Sequence, residues 1–190
     1  MILIGLTGRA QSGKDSVADY LEVQHGFIGM AFADPIKNAL DVMFGEDVDD
    51  GRDKEAVIDW IGKSSRELMQ TLGTEWGRQM IHFDLWVRCL ERALAENLDT
   101  NDPHPIVITD VRFENEARWI RERGGKIWLI RRPDAALARP HPSEDGIPEH
   151  LLNGIINNVG TLAELHRKVN AALIASFIGV PQIVQEMEAR

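Results

Sequence analysis

An uninterrupted apolar run, Ile2 to Leu6, passes through Thr7 into Gly8-Arg9-Ala10-Gln11-Ser12-Gly13-Lys14-Asp15-Ser16. No other stretch of the 190 residues restricts the fold as much. A strand with no polar interruption must be covered on both faces, as in a parallel sheet. Behind the loop, Val17, Tyr20 and Leu21 fall on one face at helical spacing. Strand, glycine loop and helix in that order form a phosphate-binding P-loop. Its amides converge on phosphate oxygens, the helix start adds positive potential, and Lys14 neutralises β- and γ-phosphate charge. Asp15 stands where the common pattern has Ser or Thr, and the hydroxyl of Ser16 comes one residue later. The competing reading is a plain glycine turn with a solvent-facing lysine.

The rest of the chain alternates short apolar runs with amphipathic ones, which places it in the α/β class. Phe27 to Phe32 reads as a strand, and Ile36 to Phe44 as a helix capped by Asp34 with Pro35 in its first turn. Residues 46–55 hold six acids against two bases, and read as an exposed loop. Ser64 to Met80 and Asp84 to Asn97 read as helices, making 34–97 a largely helical insertion. In the first of these, Leu68, Leu72 and Trp76 recur every four residues and are expected to pack inward. Pro105 to Asp110 and Lys126 to Arg131 read as strands around a helix from Glu114 to Arg123. Gly154 to Asn158 reads as a last strand. A closing helix, Thr161 to Phe177, is capped by Thr161 with Glu164 three residues on. Residues 132–150, with four prolines, read as a lid-like excursion. The expected organisation is one domain over 1–178 carrying those two insertions, with 179–190 as a C-terminal tail.

Charge narrows the function. With 21 basic and 30 acidic residues the chain carries −9, which argues against a nucleic-acid partner. No run is long enough for a membrane span, so no membrane partner is expected. One cysteine, Cys89, excludes an intrachain disulfide and fits a reducing, cytoplasmic setting.

Three further clusters bear on chemistry. In Ile106-Val107-Ile108-Thr109-Asp110-Val111-Arg112-Phe113, Asp110 follows a buried strand, where a ligand crevice opens in a doubly wound sheet. There it would hold Mg²⁺ or its water in the manner of a Walker-B carboxylate, and Arg112 would reach a transferring phosphoryl group. The alternative has Asp110 capping the next helix and Arg112 paired with Glu116. Arg131 and Arg132 end the next strand and can clamp phosphate oxygens, as can Arg139 in the excursion. Arg78, beside Gly73 and Gly77 in the insertion, is a candidate for an acceptor phosphate; the alternative is an ion pair with Glu75 or Asp84.

Taken together, these blocks resemble the P-loop deoxynucleoside monophosphate kinases typical of bacteriophages, from Ile2 to about Leu173. The resemblance is carried by the P-loop, by Ala31-Phe32-Ala33-Asp34-Pro35-Ile36-Lys37, and by Gln70-Thr71-Leu72-Gly73-Thr74-Glu75-Trp76-Gly77-Arg78. It is carried further by Asp110-Val111-Arg112-Phe113-Glu114-Asn115-Glu116, by Gly124-Gly125 before a strand, and by Asn157 to Thr161. Several nucleoside monophosphate kinases share the one-residue offset of Ser16, and the resemblance therefore implies that its hydroxyl lies near Mg²⁺. The resemblance implies a five-stranded parallel sheet with helices on both faces, a helical acceptor-binding insertion and a lid. It implies transfer of the ATP γ-phosphoryl group, with Mg²⁺, to a deoxynucleoside 5′-monophosphate. It strengthens Lys14, Asp110 and Arg112 as catalytic, beside Arg131 and Arg132. Asp34, Lys37, Arg66, Gln70, Arg78 and Arg112 become the candidate substrate-binding set. Assembly as a homodimer stays open. The rival readings are another small-molecule P-loop kinase, such as a dephospho-coenzyme A kinase, and an adenine-nucleotide-dependent regulatory module.

Overall fold

A computed structural model describes residues 2–48, 54–97, 104–133 and 146–177. The chain divides into two compact units, Met1–Gly29 with Pro103–Arg190, and Met30–Asp102.

The first unit is built on a five-stranded parallel sheet. Its strands are β1 (Leu3–Thr7), β2 (Ile28–Met30), β5 (Ile106–Ile108), β6 (Lys126–Arg131) and β7 (Gly154–Asn157), in the order β2-β5-β1-β6-β7. β1 is central, with Ile4 opposite Val107 of β5 on one side and opposite Lys126 of β6 on the other. β6 continues in parallel to β7, Leu129 opposite Ile155. All five residues of β1 are buried, as its unbroken apolar run requires. Alternate residues supply the two faces. Ile4, Leu6, Val107, Trp128, Ile130 and Ile156 form one cluster with Val17 and Leu21 of α1 (Lys14–His25) and Leu165 and Val169 of α6 (Leu162–Phe177). On the other face lies α5 (Glu114–Glu122), whose buried Ile120 closes over Gly5; a Cβ there would sit 2.7 Å from its Cδ1. β1 lies between two strands reached by opposite crossovers, so the ends of β5, β1 and β6 frame the crevice where such sheets bind ligands.

The second unit holds α2 (Asp34–Phe44), a two-stranded antiparallel hairpin of β3 (Val57–Ile58) and β4 (Lys63–Ser64), α3 (Ser65–Gln70), and α4 (Leu85–Asn97). Between α3 and α4 runs an 11-residue π-helix, Thr71–Ile81. Three sequence expectations change here. Asp34 does not cap α2: Ala33 is the cap residue, and the Asp34 carboxylate instead accepts the Ala31 amide at 2.7 Å. The helix expected over Ser64 to Met80 begins with a capping box, in which Ser64 and Glu67 satisfy each other's amides, but turns π-helical after Gln70. That wider winding rotates the four-residue stripe, and Trp76 emerges 42% exposed rather than packed. Packing falls to Trp86 of α4, whose indole Nε1 donates to the Gly73 carbonyl at 2.7 Å and lies where a Cβ on Gly77 would stand.

Cys89 is partly buried in α4, and burial pushes its thiol up. Among the described residues, no helix is long and apolar enough to cross a membrane. Residues 49–53, 134–145 including Arg139, and the tail from 178 lie outside the described residues.

Candidate active site

The loop after β1 crosses the end of the sheet and is held by the strands beside it. Gly8 has φ +139° and lies so close to β6 that a Cβ would approach the Ile130 carbonyl to 2.3 Å. Gln11 at φ 60° and Gly13 at φ +99° flank Ser12, whose side chain is wholly buried. Such backbone is strained for most residues and persists where surroundings over-determine it. The Lys14 ammonium folds over the loop and donates to the carbonyls of Gly8 (2.9 Å) and Arg9 (2.8 Å). Ser16 lies in the first turn of α1, partly buried.

The chain after β5 reaches the same edge of the sheet. The Val111 amide donates to the Leu6 carbonyl at 3.0 Å, so the partly buried Asp110 is tethered next to the end of β1. The following turn is fixed from below: buried Glu116 accepts the backbone amides of Arg112 (2.8 Å) and Phe113 (3.0 Å). Phe113 is the residue at the helix cap, so Asp110 stands clear of that role. Arg131 closes β6 opposite Asn157, and both it and Arg132 are exposed. After β7, the Asn158 carboxamide donates to the Ser12 carbonyl at 2.9 Å. Then α6 starts with Thr161 and Glu164 in mutual hydrogen bonds; the Thr161 amide and hydroxyl hold the Glu164 carboxyl below its ordinary value. Thus the P-loop, Asp110, Arg112, Arg131 and Arg132 all follow the carboxyl ends of adjacent strands of one sheet. Ser16 and Asp110 offer the hard oxygen donors that suit Mg²⁺, an ion that takes few protein ligands and completes its shell with phosphate and water.

The second unit carries the other candidates. Lys37 is exposed in the first turn of α2, and Gln70 closes α3. Arg66 begins α3 and pairs with Glu55 beyond the hairpin. Arg78 is 7% exposed, with Nη1 donating to the Phe83 carbonyl at 3.1 Å. The buried guanidinium is therefore built into the end of the π-helix.

Residues 57–169 match the model of the deoxynucleotide monophosphate kinase family. The chain belongs to the deoxynucleotide monophosphate kinase family. A protein of Acanthamoeba polyphaga mimivirus, provisionally named a deoxynucleotide monophosphate kinase, is 37% identical over 164 residues, covering 76% of this chain and 81% of that protein. The deoxynucleoside-5′-monophosphate kinase of Escherichia phage T5 is 34% identical over 114 residues, covering 56% of this chain and 44% of the phage protein. Among solved structures, a dephospho-CoA kinase from Campylobacter jejuni superposes with a TM-score of 0.50 at 13% identity, over 94% of this chain and 99% of that one. At such identity the likeness shows the fold alone. The family match begins at residue 57, beyond the P-loop.

Sequence reasoning missed three residues of this enzyme: Asn158, Glu116 and Trp86. Asn158 was read as the end of the last strand and lay in the Asn157 to Thr161 block that carries the resemblance, with no role of its own. Glu116 was visible as a surface partner for Arg112 and as the end of the Asp110 to Glu116 block, and Trp86 as one residue of the helix read over Asp84 to Asn97.

Proposed function

We propose that this kinase transfers the γ-phosphoryl group of ATP to a deoxynucleoside 5′-monophosphate, giving the diphosphate and ADP. The observation that carries the reading is the gathering of Lys14, Asp110, Arg112 and Arg131 at one edge of the sheet, beside a loop whose backbone is shaped for phosphates. Phosphoryl transfer needs positioning and charge neutralisation more than covalent chemistry. The amides of Gly8 to Ser16 cradle the donor phosphates, and Lys14 sets its charge over them. Ser16 and Asp110 are the residues that would hold Mg²⁺, which when bound neutralises charge on the β- and γ-oxygens. Arg131 and Arg132 clamp phosphate oxygens from the β6 side, and Arg112 faces the phosphoryl in flight. Asp34, Lys37, Arg66, Gln70 and Arg78 form the acceptor-binding set, in the insertion over 34–97; residues 132–150, read from the sequence as a lid-like excursion, lie largely outside the described residues. Water is a competing acceptor, so the reaction requires that it be excluded from the donor phosphate. The single cysteine supports a cytoplasmic setting, that of the host for a phage enzyme. Assembly as a homodimer is compatible with this reading.

The test is ADP release from ATP and Mg²⁺ with dTMP, dGMP, dCMP, dAMP, their ribose counterparts and dephospho-coenzyme A as acceptors. At least one deoxynucleotide should stimulate release. Stimulation by dephospho-coenzyme A alone, or none by any nucleotide, would sink the proposal. Lys14→Ala should lower kcat by about 10²–10³ or more, the usual loss for one transition-state charge contact, with melting close to wild type. A folded Lys14→Ala enzyme with wild-type turnover would refute the assignment of the donor site.

A further inference from the structure

We infer that Asn158 is a positioning residue for the donor phosphates, acting through the peptide between Ser12 and Gly13. Its backbone amide donates to the Arg131 carbonyl at 2.8 Å, which fixes the residue at the end of β6. Its side-chain Nδ2 donates to the Ser12 carbonyl at 2.9 Å, across 146 residues of sequence. A carbonyl only accepts, so the amide nitrogen must face it. The contact is close on the next residue too: a Cβ on Gly13 would lie 2.4 Å from Nδ2.

A trans peptide points its C=O and N–H in opposite directions. Holding the Ser12 carbonyl toward Asn158 therefore turns the Gly13 N–H away from it, toward the interior of the loop where amides gather on phosphate. The restraint has work to do here. Gln11, just before Ser12, sits at φ 60°, and left-handed backbone at a residue with a side chain persists only where neighbours hold it. Asn158 therefore joins three parts: the P-loop peptide, the β6 end that carries Arg131, and the turn leading into α6.

The inference rests on the reading of the P-loop as the donor site, and the experiment separates the two. Asn158→Ala removes the donor; Asn158→Asp keeps the shape but turns an acceptor toward the Ser12 carbonyl. Both should raise the dissociation constant for a fluorescent ATP analogue, and KM for ATP, by about tenfold. That is the equivalent of one hydrogen bond of about 1.4 kcal/mol. KM for the deoxynucleotide acceptor should stay within twofold of wild type. Asn158→Asp should bind ATP no better than Asn158→Ala, an order that a space-filling role would reverse. A folded Asn158→Asp enzyme binding ATP within twofold of wild type would overturn the inference, as would an equal rise in both KM values. Failure of both variants to fold would make the residue structural and overturn it too. Lys14→Ala serves as the control. If it leaves ATP binding intact, the donor-site reading itself has failed.

Discussion

The replacement Gly8→Ala probes the point where the phosphate loop is pressed onto the sheet. Two costs can be worked out separately. Gly8 has φ +139°, a region costing roughly 1–3 kcal/mol for a residue with a side chain. The added Cβ would also stand 2.3 Å from the Ile130 carbonyl, a backbone atom within β6 that cannot rotate aside. Relieving that overlap must shift strand or loop, and overpacking of this kind costs about 1–3 kcal/mol. The sum, about 2–6 kcal/mol, is a large part of the 5–15 kcal/mol that typically holds a domain together. Gly26→Ala supplies the reference, because Gly26 has φ +66° and no atom within 4 Å of its would-be Cβ. It bears the backbone cost alone, about 1–2 kcal/mol. For a chain this size each kcal/mol moves Tm by roughly 2–4 °C. Calorimetry should therefore place Gly8→Ala several degrees below Gly26→Ala. The Tm increment on adding ATP should survive in Gly26→Ala and shrink in Gly8→Ala, since the loop that yields is the one that binds phosphate. Equal melting of the two variants, with ATP still stabilising both, would refute the reasoning.

Two other perturbations follow from packing and charge. Gly77→Ala gains helix propensity of about 1 kcal/mol but sets a Cβ 2.4 Å from the buried Trp86 ring, at a cost of about 1–3 kcal/mol, so net destabilisation of up to about 2 kcal/mol is expected. Pairing it with Trp86→Leu should remove most of that penalty, which urea unfolding can measure. For Glu164, hydrogen bonds from Thr161 hold the carboxyl below its ordinary value of 4.5. A depressed carboxylate stabilises the fold above the unfolded-state value and loses that contribution as pH falls through the folded one. The melting gap between wild type and Glu164→Gln should therefore be constant above about pH 5 and close in the acid range below 4.5; a gap that persists into acid would show that the charged cap is not its source.

Much of the fold was legible because its determinants are local. The apolar run Ile2 to Leu6, the glycines and lysine after it, and the capping pair Thr161 and Glu164 each act over a few residues. β6 runs over Lys126–Arg131, as read. Legibility failed where partners compete for one group or where an element is too short to show a pattern. The Asp34 carboxylate chose the Ala31 amide over a cap, and the hairpin Val57–Ser64 has too few residues per strand for periodicity to register. Within the π-helix, the Gly73 carbonyl accepts from Trp86, 13 residues away in the next helix.

The sequence by itself determined that this chain forms a buried strand, a phosphate loop and a helix, and therefore a nucleotide-handling α/β protein. Those three pieces are contiguous, and steric and hydrogen-bonding rules act on neighbours. Tertiary structure alone decided which strands flank β1, and so which acid and which arginines stand beside the loop. It also decided that Asn158 braces Ser12 and that Trp86 rather than Trp76 fills the space beside Gly73 and Gly77. Strand order and side-chain contacts across more than a hundred residues are settled by burying two sheet faces at once, a condition that no local window of the sequence contains.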